Sequence, residues 1–405
     1  MLKLLKEFVE VKQSLFRGVL IGVLFPLLVS SCATSDSVSE SLDSGNKTYA
    51  FLLGNFDDKG VRRLTLDLES NELRDDGLVA NVRSPGYMSL SANQNHLYLV
   101  SVDEHKRSSL AHFSWSNNKA GFDLVDKKDI KGISACHIAL SSDQKQLAVS
   151  NYRSGDLELF SMSSSGSEIN ESAYFNNSKN LGGVSRPSHI HYANWSQDSS
   201  SLLVADLATD ELLVFDAAKL SDKALTRKTD KLKPRQRLSL PKGSGPRHLA
   251  FHPVLDYVYV LNELSNSITL VVPDENAVYS LADSYRLLVD QVSSSADKKR
   301  DLSSAIRISS DGRFLYAAVR GEDSLKVFNI ANDGRLKFVQ SISTFGEHPR
   351  DFNFSSDQNY LLVANTFSDS ISVFYRDQGT GKLNYLFSQS GLIKPSNILA
   401  FDKYK

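Results

Sequence analysis

Five stretches of this chain can be laid over one another: His137–Tyr152, His191–Leu207, Arg247–Glu263, Ser304–Arg320 and Arg350–Thr366, with weaker copies beginning at Gly86 and Ser396. Each reads as an alternating apolar strand, a tight turn carrying Ser and Asp, a second strand ending in Asn or Asp, a short loop and a third strand. Aligned on the turn, the first strands start at Gly86, Cys136, His191, Arg247, Ser304, Arg350 and Ser396, in steps of 50, 55, 56, 57, 46 and 46 residues. A period of about 40 to 50 residues with several short strands per copy is the mark of a β-propeller, and solenoids repeat faster. Seven copies therefore predict an all-β, seven-bladed β-propeller. Alternation such as Tyr257-Val258-Tyr259-Val260 has the two-residue period of a strand, and Asp311-Gly312 is a hairpin signal. The last copy reaches Phe401 with no room for outer strands, while Thr48–Leu53 and Arg62–Leu66 have no first strand of their own. These N-terminal strands are expected to complete the last blade, which closes the ring and removes an open edge. The polar insert Ser161–Ser185 reads as a loop and outer-strand excursion.

Composition supports a β-rich chain: 15 Tyr, 21 Phe and 22 Gly stand against 3 Met. With 46 basic and 47 acidic side chains there is no positive field to grip a phosphate backbone, so nucleic acid is excluded as the main partner. Two cysteines cannot build a disulfide framework or a Cys-rich metal site, and nothing calls for a cofactor.

Residues 1–31 do not belong to the fold. Lys3, Lys6, Lys12 and Arg17 precede the apolar run Val19–Val29, which has the length of a signal-peptide core and is too short to span a bilayer. The run ends in Val29-Ser30-Ser31-Cys32, which resembles the lipobox of bacterial lipoproteins. That resemblance implies lipidation of Cys32 and a membrane attachment through the lipid. Ala33 after it resembles the sorting pattern for the outer membrane, facing the periplasm in a Gram-negative host. A plain secretory signal that happens to hold a Cys is the other reading. Residues 32–46, Ser-rich and acidic, form a flexible tether, and 47–405 the propeller. With Cys32 acylated, Cys136 is the one thiol left, and the domain is expected to be a monomer.

The repeats supply their own control. A residue type that recurs at one position serves the blade, whereas one that occurs in a single copy needs another explanation. Asn151, Asp206, Asn262 and Asn365 recur at the end of the second strand, where an Asx-type turn is expected, and Asp143, Asp198, Asp311 and Asp357 recur in the turn. The exceptions are His191, Arg247 and Arg350 at the first-strand position and Glu263 and Arg320 after the second strand. Repeat geometry puts all five on one face, at the mouth of the central channel. Three guanidiniums suit an anionic ligand, and a Glu with a His can do acid–base work. The bland alternative is a salt-bridge ring that plugs the channel. Cys136 reads as an inert thiol, because adjacent His137 points to the opposite face. His189 could share a side with His191, but no third metal ligand stands at a sensible spacing.

Gly243-Ser244-Gly245-Pro246-Arg247-His248-Leu249-Ala250-Phe251-His252-Pro253, followed by Leu261-Asn262-Glu263-Leu264, resembles the lactonase family of seven-bladed propellers, of the bacterial 6-phosphogluconolactonase type. Ser310-Asp311-Gly312-Arg313-Phe314-Leu315-Tyr316, Arg320-Gly321 and Pro349-Arg350-Asp351-Phe352 are similar to later blades of that family. The resemblance implies a hydrolase that opens an anionic sugar-acid lactone. It implies Glu263 and His191 as catalytic groups, with Arg247 and Arg320 on the substrate; Arg350, at the same repeat position as Arg247, is placed beside them on the substrate by the repeat geometry. The chain departs from the family pattern at Ala305, Val319 and Ser101-Val102. An exported protein would not meet a phosphorylated cytosolic metabolite. Two other classes therefore stand beside the hydrolase: a non-catalytic envelope propeller binding a carbohydrate, peptide or protein, and a lactone-forming isomerase.

Overall fold

A computed structural model describes residues 48–403, apart from 58–59, 106, 164–167, 179–186, 221–231 and 289–299. The signal and tether expectations, including Cys32, lie outside the described residues.

Seven antiparallel sheets of four strands each follow one another along the chain. The first six blades are consecutive: their innermost strands are Pro85–Leu90, Ala135–Leu140, Ile190–Trp195, Pro246–Phe251, Leu302–Ile308 and Pro349–Phe354. The seventh has Pro395–Ala400 innermost, hydrogen-bonded to Thr48–Asn55, then Val61–Asp67 and Glu72–Ala80. The N-terminal strands thus complete the blade that the C-terminal strand begins, as the truncated last repeat requires. Among the described residues the sole helical element is the 3-10 turn Ala217–Lys219.

Successive side chains of a strand point to opposite faces, and here both faces of the inner strands are covered by a neighbouring blade. Leu202 and Val204 enter the core shared with the second blade, while Leu203 and Ala205 enter the core shared with the fourth. Seven such clusters among the described residues fill the seven gaps between blades. The fourth strands escape the sequence pattern because one face is wet: Tyr279–Arg286 buries Tyr279 and leaves six of its eight residues exposed. They show no clean two-residue alternation to read.

The turn aspartates are scaffold. Asp143, Asp198, Asp311 and Asp357 each accept from the Ser hydroxyl two residues before, at 2.5–2.6 Å, and from the backbone N–H two residues after. The second-strand Asn residues are also structural but work differently from the expected Asx turn. Asn151, Asn262 and Asn365 donate their amides across to side chains of the third strand, at Asp156 and Glu158, Ser267 and Thr269, and Ser372. Asp206 does make the turn, accepting from the N–H groups of Ala208 and Thr209.

Closure is carried by Phe401, fully buried just past the innermost strand of the seventh blade. Its N–H bonds Ala50 O, and its ring packs 5.2 Å from Trp115 and 5.8 Å from Phe122 of the first blade. Phe401→Ala leaves a cavity in that seam. The variant is expected to lose about 3–5 kcal/mol in urea unfolding monitored by circular dichroism, and a loss under about 1 kcal/mol would mean that closure does not depend on this seam.

Candidate active site

The residue that opens each repeat is the extra residue of a β-bulge. Between innermost and second strands the pairing skips Gly86, Cys136, His191, Arg247, Arg350 and Ser396, and in the fifth blade Ser304 and Ala305 share the one position opposite Ala318. A bulge leaves its extra residue outside the ladder and re-aims the side chain. Several of these residues also stitch one blade to the next. The Cys136 thiol donates to His191 O, Ser304 Oγ to Pro349 O and Ser396 Oγ to Gly86 O, and Arg247 Nη1 donates to Ser304 O.

One cavity of about 720 Å³ is lined by residues of all seven blades, which places it on the axis of the ring. Cys136, His191, Arg247 and Arg350 reach it from bulges, and Tyr152, Glu263 and Arg320 from the ends of second strands. The five residues singled out in the sequence therefore share one wall. Phe56, from the loop after the closing strand Thr48–Asn55, was not visible as a candidate because that loop lies outside the repeat alignment. Asp103 and Glu104 are also on the rim, held by Arg107 at 2.7 Å and Arg83 at 2.9 Å.

The loop before Arg247 explains the Gly-Ser-Gly-Pro-Arg-His string. Gly245 has φ +63°, and a Cβ there would meet Leu264 at 2.4 Å. Asp210 accepts the N–H groups of Gly245 and Gly243 at 2.7 and 2.8 Å, and Glu263 N–H bonds Gly245 O. The same turn thus delivers Arg247 and Glu263 side by side.

Glu263 stands between two guanidiniums. Arg247 Nε is 2.9 Å from Oε2 and Arg320 Nη2 is 3.0 Å from Oε1. Both are charge contacts; Arg247 Nε lacks an aligned hydrogen bond. Arg247 is held further by His248 Nε2, which accepts from Nη1 at 2.8 Å, and Arg320 donates to Leu302 O and Ser303 O. Burial, and after it the charge of Arg320, push Arg247 down to about 9, which leaves it protonated at neutral pH. His191 is buried with Nδ1 free of any hydrogen bond. Burial first, then Arg247, Arg350 and Arg320, hold it well below the usual imidazole range, so it is a neutral base. Cys136 is half-buried, and loss of water contact pushes its thiol up to about 12, so it is a protonated thiol and no nucleophile. His189 stacks on Tyr152 and bonds its carbonyl oxygen.

The residues just after four of the bulges form an aromatic row. Tyr87, His137, Tyr192 and His248 pack ring against ring, with centroids 3.9–5.0 Å apart along the row. Beside them Arg307 pairs with Asp351 at 3.1 Å, and Asp351 accepts from Asn397 at 2.6 Å.

The sequence model described as lactonase, 7-bladed beta-propeller, matches residues 50–399. The chain belongs to this family. It is 30% identical over 334 residues to the 6-phosphogluconolactonase of Bacillus subtilis, covering 81% of this chain and 90% of that protein. It is 33% identical over 354 residues to the 6-phosphogluconolactonase of Formosa agariphila, covering 82% and 94%. Among solved structures, the periplasmic gluconolactonase PpgL of Pseudomonas aeruginosa superposes with a TM-score of 0.76 at 23% identity, over 88% of this chain and 99% of that one, a likeness of fold.

Of five buried imidazoles among the described residues, the four held furthest below their ordinary range give this lactonase-family protein a defined acid response. His112 is pushed down to about 4 and His137 to about 3 by burial, and His191 and His248 lie well below their ordinary range for the same reason. Each is neutral when folded and takes up a proton near pH 6.5 when unfolded, so unfolding binds protons below that pH and stability falls with falling pH. Between pH 6 and pH 4.5 the loss is expected at about 1.4 kcal/mol per pH unit for each imidazole, read from urea midpoints. His137→Asn should show a slope shallower by one such share; an unchanged slope would mean that His137 is not held neutral.

Proposed function

We propose that the axial cavity hydrolyses the ring ester of an anionic sugar-acid lactone. The observation that carries this reading is one carboxylate, Glu263, 2.9 and 3.0 Å from two guanidiniums, in a cavity that also holds the neutral imidazole of His191.

Arg247 and Arg320 are oriented by Glu263 and by backbone carbonyls, and each keeps N–H donors turned to no protein acceptor: Arg247 Nη2 and Arg320 Nη1 make no hydrogen bond to described residues. Fixed donors of this kind polarise the lactone carbonyl and stabilise the oxyanion that forms on it, because they need no reorganisation during reaction. Glu263 takes a proton from the attacking water, whose oxygen bonds to the carbonyl carbon. The tetrahedral intermediate then breaks its bond to the ring oxygen, and the departing alkoxide takes up the proton that Glu263 gained from the water, relayed across the neutral imidazole of His191, which accepts it on one ring nitrogen as it releases the proton of the other. One water is consumed and a hydroxy acid leaves.

The purified protein is expected to hydrolyse gluconolactone-type substrates in a pH-stat assay. Glu263→Gln should lower kcat by about 10²–10⁴ with unchanged circular dichroism, the range for loss of a general base. Wild-type protein inert on a broad lactone panel, or full turnover in Glu263→Gln, would defeat the proposal.

We further propose that the protein is held at the cell envelope by acylation of Cys32, on the strength of the Val29-Ser30-Ser31-Cys32 sequence after a short apolar run. Cells fed labelled palmitate should label the wild-type chain and not Cys32→Ser; equal labelling of the two would rule out this anchor.

A further inference from the structure

Of the three guanidiniums in the axial cavity, two have their charge met and one does not. Arg247 and Arg320 share Glu263. Arg350 forms no ion pair and donates no side-chain hydrogen bond to any described residue; its guanidinium carbon lies 4.6 Å over the ring of Phe56. Burial first and then the nearby charge of Arg320 lower its proton affinity, against smaller opposing pulls from Glu263 and Asp351. A cation drawn out of water without a partner is costly, and an aromatic face returns only about 0.5–2 kcal/mol of that.

Among the described residues, the carboxylates nearest to it are already engaged. Asp351, the next residue, is beyond the bulge and accepts from Arg307, Asn397 and the Ile398 N–H. Asp103 and Glu104 on the rim are engaged by Arg107 and Arg83. The bulge of the sixth blade turns Arg350 into the cavity, and Phe56, from the seventh, backs it on one side. A cavity of about 720 Å³ is of the size that encloses a drug-sized ligand, with room for a lactone ring and a substituent together.

We propose that Arg350, backed by Phe56, is an oxyanion subsite distinct from the Glu263 clamp, and that it takes a carboxylate or phosphate carried by the substrate away from its lactone ring. This rests on the lactonase reading above and adds the position at which the substrate's charge is recognised. Arg247 and Arg320 serve the ester carbonyl, and Arg350 serves the remote anion. A guanidinium suits the task because its planar N–H fork matches either oxyanion.

The test compares kcat/KM for D-glucono-1,5-lactone with that for the same ring bearing a 6-phosphate or a 6-carboxylate. Wild-type protein should prefer the charged lactones, the better of the two naming the oxyanion. Arg350→Gln should cut that preference at least tenfold, and Arg350→Lys should keep part of it. A fall of equal size on charged and uncharged lactones, or no fall, overturns the subsite. Calorimetric titration with inorganic phosphate, 6-phosphogluconate and glucarate decides the matter independently of turnover. Binding should be lost in Arg350→Gln and kept or tightened in Glu263→Gln, and binding that survives in Arg350→Gln overturns the proposal. If wild-type protein opens no lactone yet binds these anions through Arg350, the catalytic reading falls and the subsite stands.

Discussion

The site depends on a backbone irregularity repeated seven times. At the start of every innermost strand one residue is extra to the pairing, and the ladder resumes beyond it. Without the bulge, strict alternation would send these side chains into the cores between blades, where a guanidinium has no counter-charge. With it, His191, Arg247 and Arg350 line the axial cavity while the residues immediately after them return to the ladder. Where the bulged residue is small, its side chain instead ties neighbouring blades together, as Ser304 and Ser396 do. The same distortion therefore ties blades together in some copies and turns charged side chains into the axial cavity in others.

Electrostatics follows from this crowding. Three guanidiniums are gathered at one end of a closed ring with a single carboxylate between two of them. The field and the loss of solvent keep the adjacent imidazoles neutral, and His248 can then accept a hydrogen bond from Arg247 instead of repelling it. Arg307 is compensated by Asp351 and Asn397 completes that network, so this pair adds no unmatched charge. The imbalance is confined to the cavity, where a ligand can correct it. A salt-bridge plug, the bland alternative, would need acids to match every arginine.

How far the sequence can be read varies with the kind of contact. Inner and middle strands are legible because both their faces are buried, which leaves an apolar pattern in each copy. The outer strands are less so, since strands such as Tyr279–Arg286 have a wet face and tolerate Ser, Asp and Arg. The turn aspartates are legible as scaffold, because a Ser and an Asp two residues apart make a local motif. The second-strand asparagines are scaffold too, but their bonds run across to the third strand, five and seven residues on, a spacing that the two-residue reach of an Asx turn does not cover.

The number of blades, the way the chain closes and the positions that break the repeat are all written in the string, because periodicity and exceptions to it are properties of a string. It also places His191, Arg247 and Arg350 at one repeat position and Glu263 and Arg320 at another. How their charges are shared was settled only in three dimensions: Glu263 engages Arg247 and Arg320, Arg350 rests on Phe56 with no acid, and Cys136 is held as a thiol. Those outcomes turn on ångström-scale distances between residues of different blades and on exclusion of water at the hub, and neither quantity exists until the ring has closed.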